Sequence, residues 1–292
     1  MRWQPAGLRN VFFVFALMVL TLSVAGETSE PVTAILGAQT REIQVLRDEL
    51  QDRKEQRILG IPFWEGRLAG RRAVVARMSA GKVNAAMIAT LVVEHFHPHE
   101  VIVTGIAGGL NPKLEPGDLV IATKTVQHDM MRQGDSGVEH RGARHPITGR
   151  RNPVFLEPPA DLVEIARRAA DQMRFIPIQS EDEKTTHPVR VVTGIVATGD
   201  AFVESDEKRK ELRDLLQADA VEMEGAAVGQ VCYVLGVPCL VIRCMSDRAD
   251  QAAMADLESF ADIAAVNSAR LVYGILHILA GNKGPIQPEQ KK

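Results

Sequence analysis

The sequence contains only three cysteines among its 292 residues: Cys232, Cys239 and Cys244. An odd, clustered set of this kind does not provide the paired framework of a small disulfide-rich protein. Each cysteine lies in an apolar stretch, where a small buried side chain is expected. No cysteine or histidine spacing is typical of a zinc site. We therefore predict no metal centre.

The sequence also lacks a strong charge of either sign, because its formal net charge is only -3. No basic patch of the kind that binds nucleic acid is evident, so we predict no nucleic-acid partner. The glycine fingerprint of dinucleotide-binding proteins and the lysine-containing phosphate loop are both missing. The whole sequence is 46% hydrophobic and 24% charged. This composition is typical of a globular protein that can bury a sizeable core.

The N-terminal segment differs from the rest of the chain. Arg2 and Arg9 precede or flank an apolar run over residues 11–22, and small residues follow over residues 23–26. This order of basic, apolar and small residues is typical of a secretory signal peptide, and the run is short for a membrane span. We predict a signal peptide over residues 1–26, with export to the periplasm and no stable membrane insertion after cleavage. An uncleaved N-terminal anchor is the alternative.

Beyond this segment, apolar strands alternate with helical patterns. Strands are predicted over residues 31–37, 73–78, 101–104, 119–123, 189–198 and 237–243, and helices over 41–50, 81–92, 161–173, 207–216, 221–235 and 256–279. Residues 128–159 are polar and predicted as a long loop. The alternation favours an α/β fold with a mostly parallel central sheet between two layers of helices. One domain is predicted over residues 27–284, followed by a polar tail over 285–292.

Polar segments at the carboxyl ends of these strands are candidate ligand sites, because ligands of such folds bind there. Asp247 follows a buried strand, where desolvation favours a raised pKa and proton donation. A helix cap is the alternative for Ser246 and Asp247. Glu222 and Glu224 flank Met223, which allows one carboxylate to face a ligand and the other a structural partner. Ordinary helix-start residues are the alternative there, as they are for Glu42.

Taken in order, several segments resemble those of the 5′-methylthioadenosine/S-adenosylhomocysteine nucleosidases of the purine nucleoside phosphorylase superfamily. The matching pieces are Gly37-Ala38 with Glu42, Gly81-Lys82-Val83, Thr104 to Gly109, Pro116-Gly117-Asp118, Thr198 to Phe202, Val221 to Glu224, and Arg243 to Asp247. Each piece alone is weak evidence for the family. The combination in the correct order is strong evidence and spans nearly the whole predicted domain. The resemblance implies a three-layer, nucleoside phosphorylase-like sandwich with a twisted mixed sheet. It also implies a homodimer.

The resemblance implies roles for two carboxylates that act on the bond between adenine and ribose. Asp247 would protonate N7 of the departing adenine, and Glu42 would activate the attacking water. Ser246 and Arg243 would support Asp247 and the water. No metal or organic cofactor is implied, because acid–base chemistry and charge stabilisation suffice for this cleavage.

Further positions would bind the nucleoside. Glu224 would hold the ribose hydroxyls with Met223 beside the sugar. Phe202 would stack on adenine, and the Val203 backbone would contact the edge of the base. Ile106 stands where relatives often have Ser, so polar support of the water differs here. The segment from residue 128 to 134 begins like the family and then diverges, near the expected 5′ substituent or partner subunit.

Two alternatives remain open at this point. A phosphorylase of the same fold would need cations for phosphate, and Arg41 and Arg77 are candidates. A non-catalytic exported nucleoside-binding protein would need no acid and base, so the presence of Glu42, Glu224 and Asp247 together argues against it. The predicted activity is hydrolysis of a small-molecule purine nucleoside to free adenine and a ribose derivative.

Overall fold

A computed structural model describes residues 30–135, 137–179, 186–284 and 286. The predicted signal peptide lies outside the described residues, as does the predicted tail apart from residue 286. No helix within the described ranges is long and apolar enough to cross a membrane.

The secondary structure alternates between strands and helices along most of the described chain. The strands are β1 (Val32–Gly37), β2 (Gln51–Ile58), β3 (Ile61–Leu68), β4 (Arg71–Arg77), β5 (Glu100–Val103), β6 (Ile106–Gly109), β7 (Leu119–Gln127), β8 (Met131–Gly134), β9 (Gly137–His140), β10 (Phe155–Leu156), β11 (Ile178–Gln179), β12 (Thr186–His187), β13 (Val191–Thr198), β14 (Ala220–Glu222) and β15 (Cys239–Asp247). The helices are α1 (Thr40–Asp48), α2 (Lys82–Phe96), α3 (Ala160–Gln172), α4 (Asp206–Leu216), α5 (Gly225–Leu235) and α6 (Ala253–Leu279).

Eleven strands form one mixed sheet in the order β10-β7-β13-β14-β6-β15-β5-β1-β4-β3-β2. Its centre is mostly parallel: β1 pairs in parallel with β4 and β5, and β15 with β5 and β6. The sheet also curls, because β15 pairs with β7 in addition to its other neighbours. Strands β7, β13, β14, β6 and β15 therefore close into a ring, with the end of β15 on its wall.

Successive residues of the central strands enter opposite cores, as expected for a sheet covered on both faces. Ile35 and Ile102 pack with residues of α1, α3 and α6 on one face. Leu36 and Val103 pack with residues of α2 and α5 on the other. The predicted three-layer α/β architecture is confirmed.

Four local predictions are wrong. The predicted helix over 221–235 begins only at Gly225, because residues 220–222 pair with β13 and β6 as strand β14. Residues 244–247 lie within β15 rather than beyond its end, and residues 105–109, whose glycines predict a loop after the preceding strand, mostly form strand β6. The predicted loop over 128–159 contains the β8–β9 hairpin and β10. The β2–β3 hairpin was not predicted, since most of β2 is exposed and charged.

Candidate active site

The predicted acid and base are both buried beside strand β6. Glu42 is 2% exposed and Asp247 is 3% exposed. Glu42 reaches β6 from the first turn of α1, which follows β1, while Asp247 ends the neighbouring strand β15. Buried carboxylates are uncommon unless their oxygens are hydrogen-bonded, so their partners define what each one can do.

Glu42 accepts two backbone hydrogen bonds. Its Oε2 accepts from the N–H of Gln39 at 2.7 Å, and its Oε1 accepts from the N–H of Ile106 at 3.0 Å. The first contact belongs to a capping box that starts α1. The alternative of an ordinary helical glutamate therefore describes the first contact of Glu42, but the second contact turns the same carboxylate toward β6. Burial raises the pKa of Glu42, against the opposing charge of Arg243.

Asp247 is held by its immediate neighbours. Its Oδ2 accepts from the hydroxyl of Ser246 at 2.8 Å, and its Oδ1 accepts from the N–H of Ala249 at 2.8 Å. Burial raises the pKa of Asp247 even though both contacts favour the ionised form. A carboxyl group in this condition is suited to hold a proton and release it to a bound ligand.

Two glycines of the β6 segment bring the carboxylates close to the backbone. A Cβ on Gly105 would lie 2.5 Å from Glu42 Oε1 and 2.4 Å from Arg243 Nη1, and the φ of Gly105 is +153°. A Cβ on Gly108 would lie 2.8 Å from Asp247 Oδ1. The absence of side chains at Gly105 and Gly108 thus makes room for the two carboxylates. Glu42 binds at Ile106, and Asp247 pairs with Gly108, so their anchor points are about 7 Å apart along the strand.

Arg243 is fully buried and lies among carboxylates. Its Nη2 donates to Glu222 and is 3.5 Å from Glu224 Oε2, while its Nη1 donates to the carbonyl of Thr104 at 2.9 Å. Its charge also acts on Glu42. The recorded partners of Asp247, in contrast, are Ser246 and Ala249. Arg243 is therefore placed to support Glu222, Glu224 and Glu42.

Glu222 and Glu224 have different hydrogen-bond partners, and a ligand-facing role for Glu224 stays a prediction. Glu222 Oε2 accepts from the N–H groups of Glu224 at 2.9 Å and Gly225 at 2.7 Å, and its Oε1 accepts from the hydroxyl of Thr198. Glu222 is thus the structural partner. Glu224 Oε1 accepts from the N–H of Gly81 at 2.9 Å. Burial and the charge of Glu222 raise the pKa of Glu224 to about 7.

The predicted base-binding residues lie in the segment after β13. Phe202 is 42% exposed, so its ring is accessible to a ligand. Val203 is buried in an apolar cluster with Val221 and Ala249. Because Val221 precedes Glu222 and Ala249 follows Asp247, this packing ties the Phe202 segment to both carboxylate-bearing strands. Met223 is partly exposed between Glu222 and Glu224.

Sequence reasoning missed the backbone of Gly81 and the hydroxyl of Ser268 as parts of the site. Ser268 Oγ lies 2.7 Å from Thr104 Oγ1 and accepts from the N–H of Gly105 at 3.1 Å, which fixes the start of the β6 segment from α6. No local sequence signal marks Ser268. Gly81 stood within a matched motif, but its partner Glu224 is remote in sequence.

Arg41 and Arg77, the candidate phosphate-binding cations, contact residues other than Glu42 and Asp247. Arg41 Nη1 pairs with Asp262 Oδ1 at 2.8 Å, where both side chains are largely exposed. Arg77 Nη1 donates to Thr40 Oγ1 at 3.4 Å. A cavity of about 530 Å³ also lies away from these residues, against Leu156, Tyr233 and Val237. Its lining contains neither Glu42 nor Asp247.

The sequence matches the phosphorylase superfamily over residues 32–277. It is 38% identical over 249 residues to a 5′-methylthioadenosine/S-adenosylhomocysteine nucleosidase of Geobacillus kaustophilus, covering 84% of this chain and 97% of that protein. The structure resembles the Neisseria meningitidis nucleosidase of the same name in complex with methylthio-immucillin-A, with a TM-score of 0.70 and 34% identity over 85% and 99% of the chains. It also resembles futalosine hydrolase of Helicobacter pylori, with a TM-score of 0.69 and 29% identity over 84% and 97%.

Proposed function

The chain belongs to the phosphorylase superfamily and, within it, to the 5′-methylthioadenosine/S-adenosylhomocysteine nucleosidases, and from that premise we propose that Asp247 and Glu42 divide the hydrolysis between them. The observation that carries this proposal is the placement of two buried carboxylates beside Gly108 and Ile106 of one strand. Two carboxyl groups held at different points of one strand can serve separately as the proton donor and as the base that activates a water.

The departing adenine gains the electron pair of the bond between C1′ and the base. Protonated Asp247 gives its proton to N7 and neutralises that charge, a contribution of about 10²–10⁴-fold in rate. Water attacks C1′ and gives a proton to ionised Glu42, whose raised pKa makes it a stronger base. Asp247 then regains a proton and Glu42 loses one to solvent. Free adenine and the ribose derivative are the products.

The sugar develops positive charge in this reaction. Glu224 accepts from the ribose hydroxyls and stabilises that charge electrostatically, with Met223 packed beside the sugar. Phe202 stacks on adenine, and the Val203 backbone contacts the base edge. Ser246 orients Asp247 through its 2.8 Å hydrogen bond. Arg243 holds the carboxylates beside the water, and the Ile106 N–H fixes Glu42.

The test incubates purified protein with methylthioadenosine, S-adenosylhomocysteine, futalosine and unsubstituted adenosine and inosine, each with and without phosphate. Free base and the sugar product are measured by chromatography and mass spectrometry. Hydrolysis predicts unphosphorylated sugar at an equal rate in both buffers. Sugar 1-phosphate would establish phosphorolysis instead, and binding of nucleosides without any cleavage would establish a non-catalytic binding protein.

The protein is also proposed to act as a homodimer. Val83 and Met87, one turn apart on α2, are 80% and 45% exposed, and Tyr233 of the adjacent α5 is 49% exposed. Exposed apolar residues at this spacing form one surface that suits a second copy. Light scattering is expected to give twice the chain mass, and Val83→Asp to give the monomer. Leu59→Asp, at an equally exposed leucine, is the matched control and should leave the dimer intact.

Export to the periplasm is proposed from the basic, apolar and small residues of positions 1–26. The superfamily match begins only at residue 32, so this segment precedes the matched domain. Expression of the full chain in a bacterium with two membranes is expected to yield a periplasmic protein shortened near residue 26. An intact N-terminus in the membrane fraction would identify an uncleaved anchor, and an intact soluble cytoplasmic protein would contradict export.

A further inference from the structure

Three segments meet at one edge of the candidate site through Lys82, Asp129 and Asp200, which we call the polar latch. Lys82 opens α2, Asp129 follows β7, and Asp200 lies between β13 and Phe202. Lys82 Nζ donates to Asp129 Oδ1 at 2.6 Å, and Asp129 Oδ2 accepts from the N–H of Asp200 at 3.0 Å. Asp200 Oδ1 in turn accepts from the N–H of Lys82 at 2.8 Å. The three residues therefore form a closed ring of hydrogen bonds.

The same contacts cap α2 from outside the helix. Gly81 occupies the N-cap position without a capping side chain, and the first turn contains no acidic residue. Its exposed N–H groups are instead bonded by Asp200 at Lys82 and by Glu224 at Gly81. A helix N-terminus favours carboxylates. The start of α2 therefore binds two of them: Asp200, which precedes the proposed base-binding Phe202, and Glu224, the proposed ribose-binding residue.

The ion pair within the latch is partly shielded from water. The side chains of Lys82 and Asp129 are 17% and 31% exposed. Burial acts to raise the pKa of Asp129, but the hydrogen bonds from Lys82 and Asp200 outweigh it and hold that pKa below its usual value. The hydrogen bonds of the ring therefore favour the charged form of Asp129.

Phe202 depends on this anchoring. Its ring is 42% exposed, so core packing does not set its position. Asp200, two residues earlier, is fixed to both α2 and Asp129, and Val203, one residue later, is buried. The backbone is thus held on both sides of Phe202.

We propose that the polar latch is a positioning device that fixes the Phe202 segment relative to Glu224 and so sets the affinity of the site for the adenine base. The proposal rests on the proposed function, since it takes Phe202 and Glu224 as base- and ribose-binding residues. The hydrogen bonds of its ring involve neither Asp247 nor Glu42, so we expect it to act on binding more than on the chemical step.

The test compares Asp200→Ala and Asp129→Asn with the unaltered enzyme. Both are expected to raise KM for methylthioadenosine and Kd for free adenine about tenfold, with kcat changed about twofold or less, the size expected for losing a cap and a binding contact. Asp200→Asn keeps a capping oxygen and should restore most of the affinity. Asp214→Asn removes the same charge from an exposed pair with Lys210 and should change neither constant.

A double-mutant cycle distinguishes positioning from a merely structural cap. If the latch acts through Phe202, Asp200→Ala should weaken adenine binding far less in a Phe202→Leu background than in the native one. Additive effects would overturn the proposal, as would a lowered Tm with unchanged adenine Kd. If the native enzyme bound adenine but cleaved no nucleoside, the proposed function would fail while calorimetry with adenine still decided the role of the latch.

Discussion

The floor of the candidate site contains five ionisable residues that are each at most 6% exposed: Glu42, Glu222, Glu224, Arg243 and Asp247. The rim, formed by Phe202, the polar latch and the Arg41–Asp262 pair, is more exposed to water, from 17% at the Lys82 side chain to 83% at the Asp262 side chain. Both regions are rich in polar contacts. They differ in how strongly those contacts act, because charges out of water interact with less screening than charges at the surface.

The difference has a chemical consequence. Three carboxyl groups, those of Glu42, Glu222 and Glu224, act on one guanidinium on the floor, and burial raises the pKa of Glu42, Glu224 and Asp247. Burial thus makes each of these three carboxyl groups easier to protonate than the same group in water, as is common at catalytic sites. The rim has ordinary ion pairs and an exposed aromatic ring, which are suited to binding. Substitutions on the floor should change the rate by orders of magnitude, and those on the rim should change affinity or little at all.

The largest expected effect is that of Asp247→Asn. The variant keeps the shape of the side chain but cannot supply the proton, so kcat for methylthioadenosine should fall by about 10²–10⁴-fold. Adenine affinity, measured by calorimetry, should stay within a few-fold of the native value. Retention of full turnover would remove Asp247 from the role of general acid and break the contrast between floor and rim.

Gly105→Ala should damage the floor without removing a charge. The added Cβ would overlap Arg243 Nη1 and Glu42 Oε1 in a backbone conformation with φ of +153°. Overpacking a buried site costs about 1–3 kcal/mol of unfolding free energy, and the displaced Glu42 should lower kcat as well. Gly134→Ala is the matched control, because no atom lies within 4 Å of its added Cβ. Equal denaturant midpoints for the two variants would contradict the tight packing of the floor.

The floor is also the region that sequence reasoning located best, and particular residues show why. Glu42, Glu224 and Asp247 stand in ordered motifs around strands whose apolar patterns are evident. The partners of these carboxylates are harder to predict from the sequence. Arg243 contacts Glu222 because β14 pairs with β6 and β6 pairs with β15, and no local sequence pattern specifies those pairings. The Val221 strand was predicted as helix because three residues are too few for a strand period.

The rim was harder to predict for a different physical reason. Lys82, Asp129 and Asp200 are separated by long stretches of chain and meet only after the sheet has formed. Each is a polar residue beside a glycine or a loop, with no periodic signal. The 128–159 segment, predicted as loop, contains the short β8–β9 hairpin, whose exposed strands have no apolar face to reveal them.

Glu224→Gln tests the burial of the floor through the pH dependence of the free energy of unfolding. The pKa of Glu224 rises from 4.5 in its ordinary state to about 7 in the folded protein. As the pH rises, Glu224 therefore loses its proton at a lower pH in the unfolded chain than in the folded protein. The contribution of this group to the free energy of unfolding is fully present below about pH 4.5 and is lost as the pH rises to about 7. Glu42 and Asp247 act in the same direction. The variant should lose less unfolding free energy between pH 5 and 7.5 than the native protein, by on the order of 2 kcal/mol. Urea titrations at both pH values measure this, and parallel losses would show that Glu224 ionises normally.

Arg41→Gln on the rim should have the smallest effect. Its partner Asp262 is 83% exposed, and exposed pairs contribute about 0–1 kcal/mol, so Tm should move little. Adenine release should match that of the native enzyme with and without phosphate, because a hydrolase has no use for a phosphate-binding cation. A loss confined to the phosphate-containing assay would place Arg41 at a bound phosphate. It would make this part of the rim catalytic and shift the chemistry toward phosphorolysis.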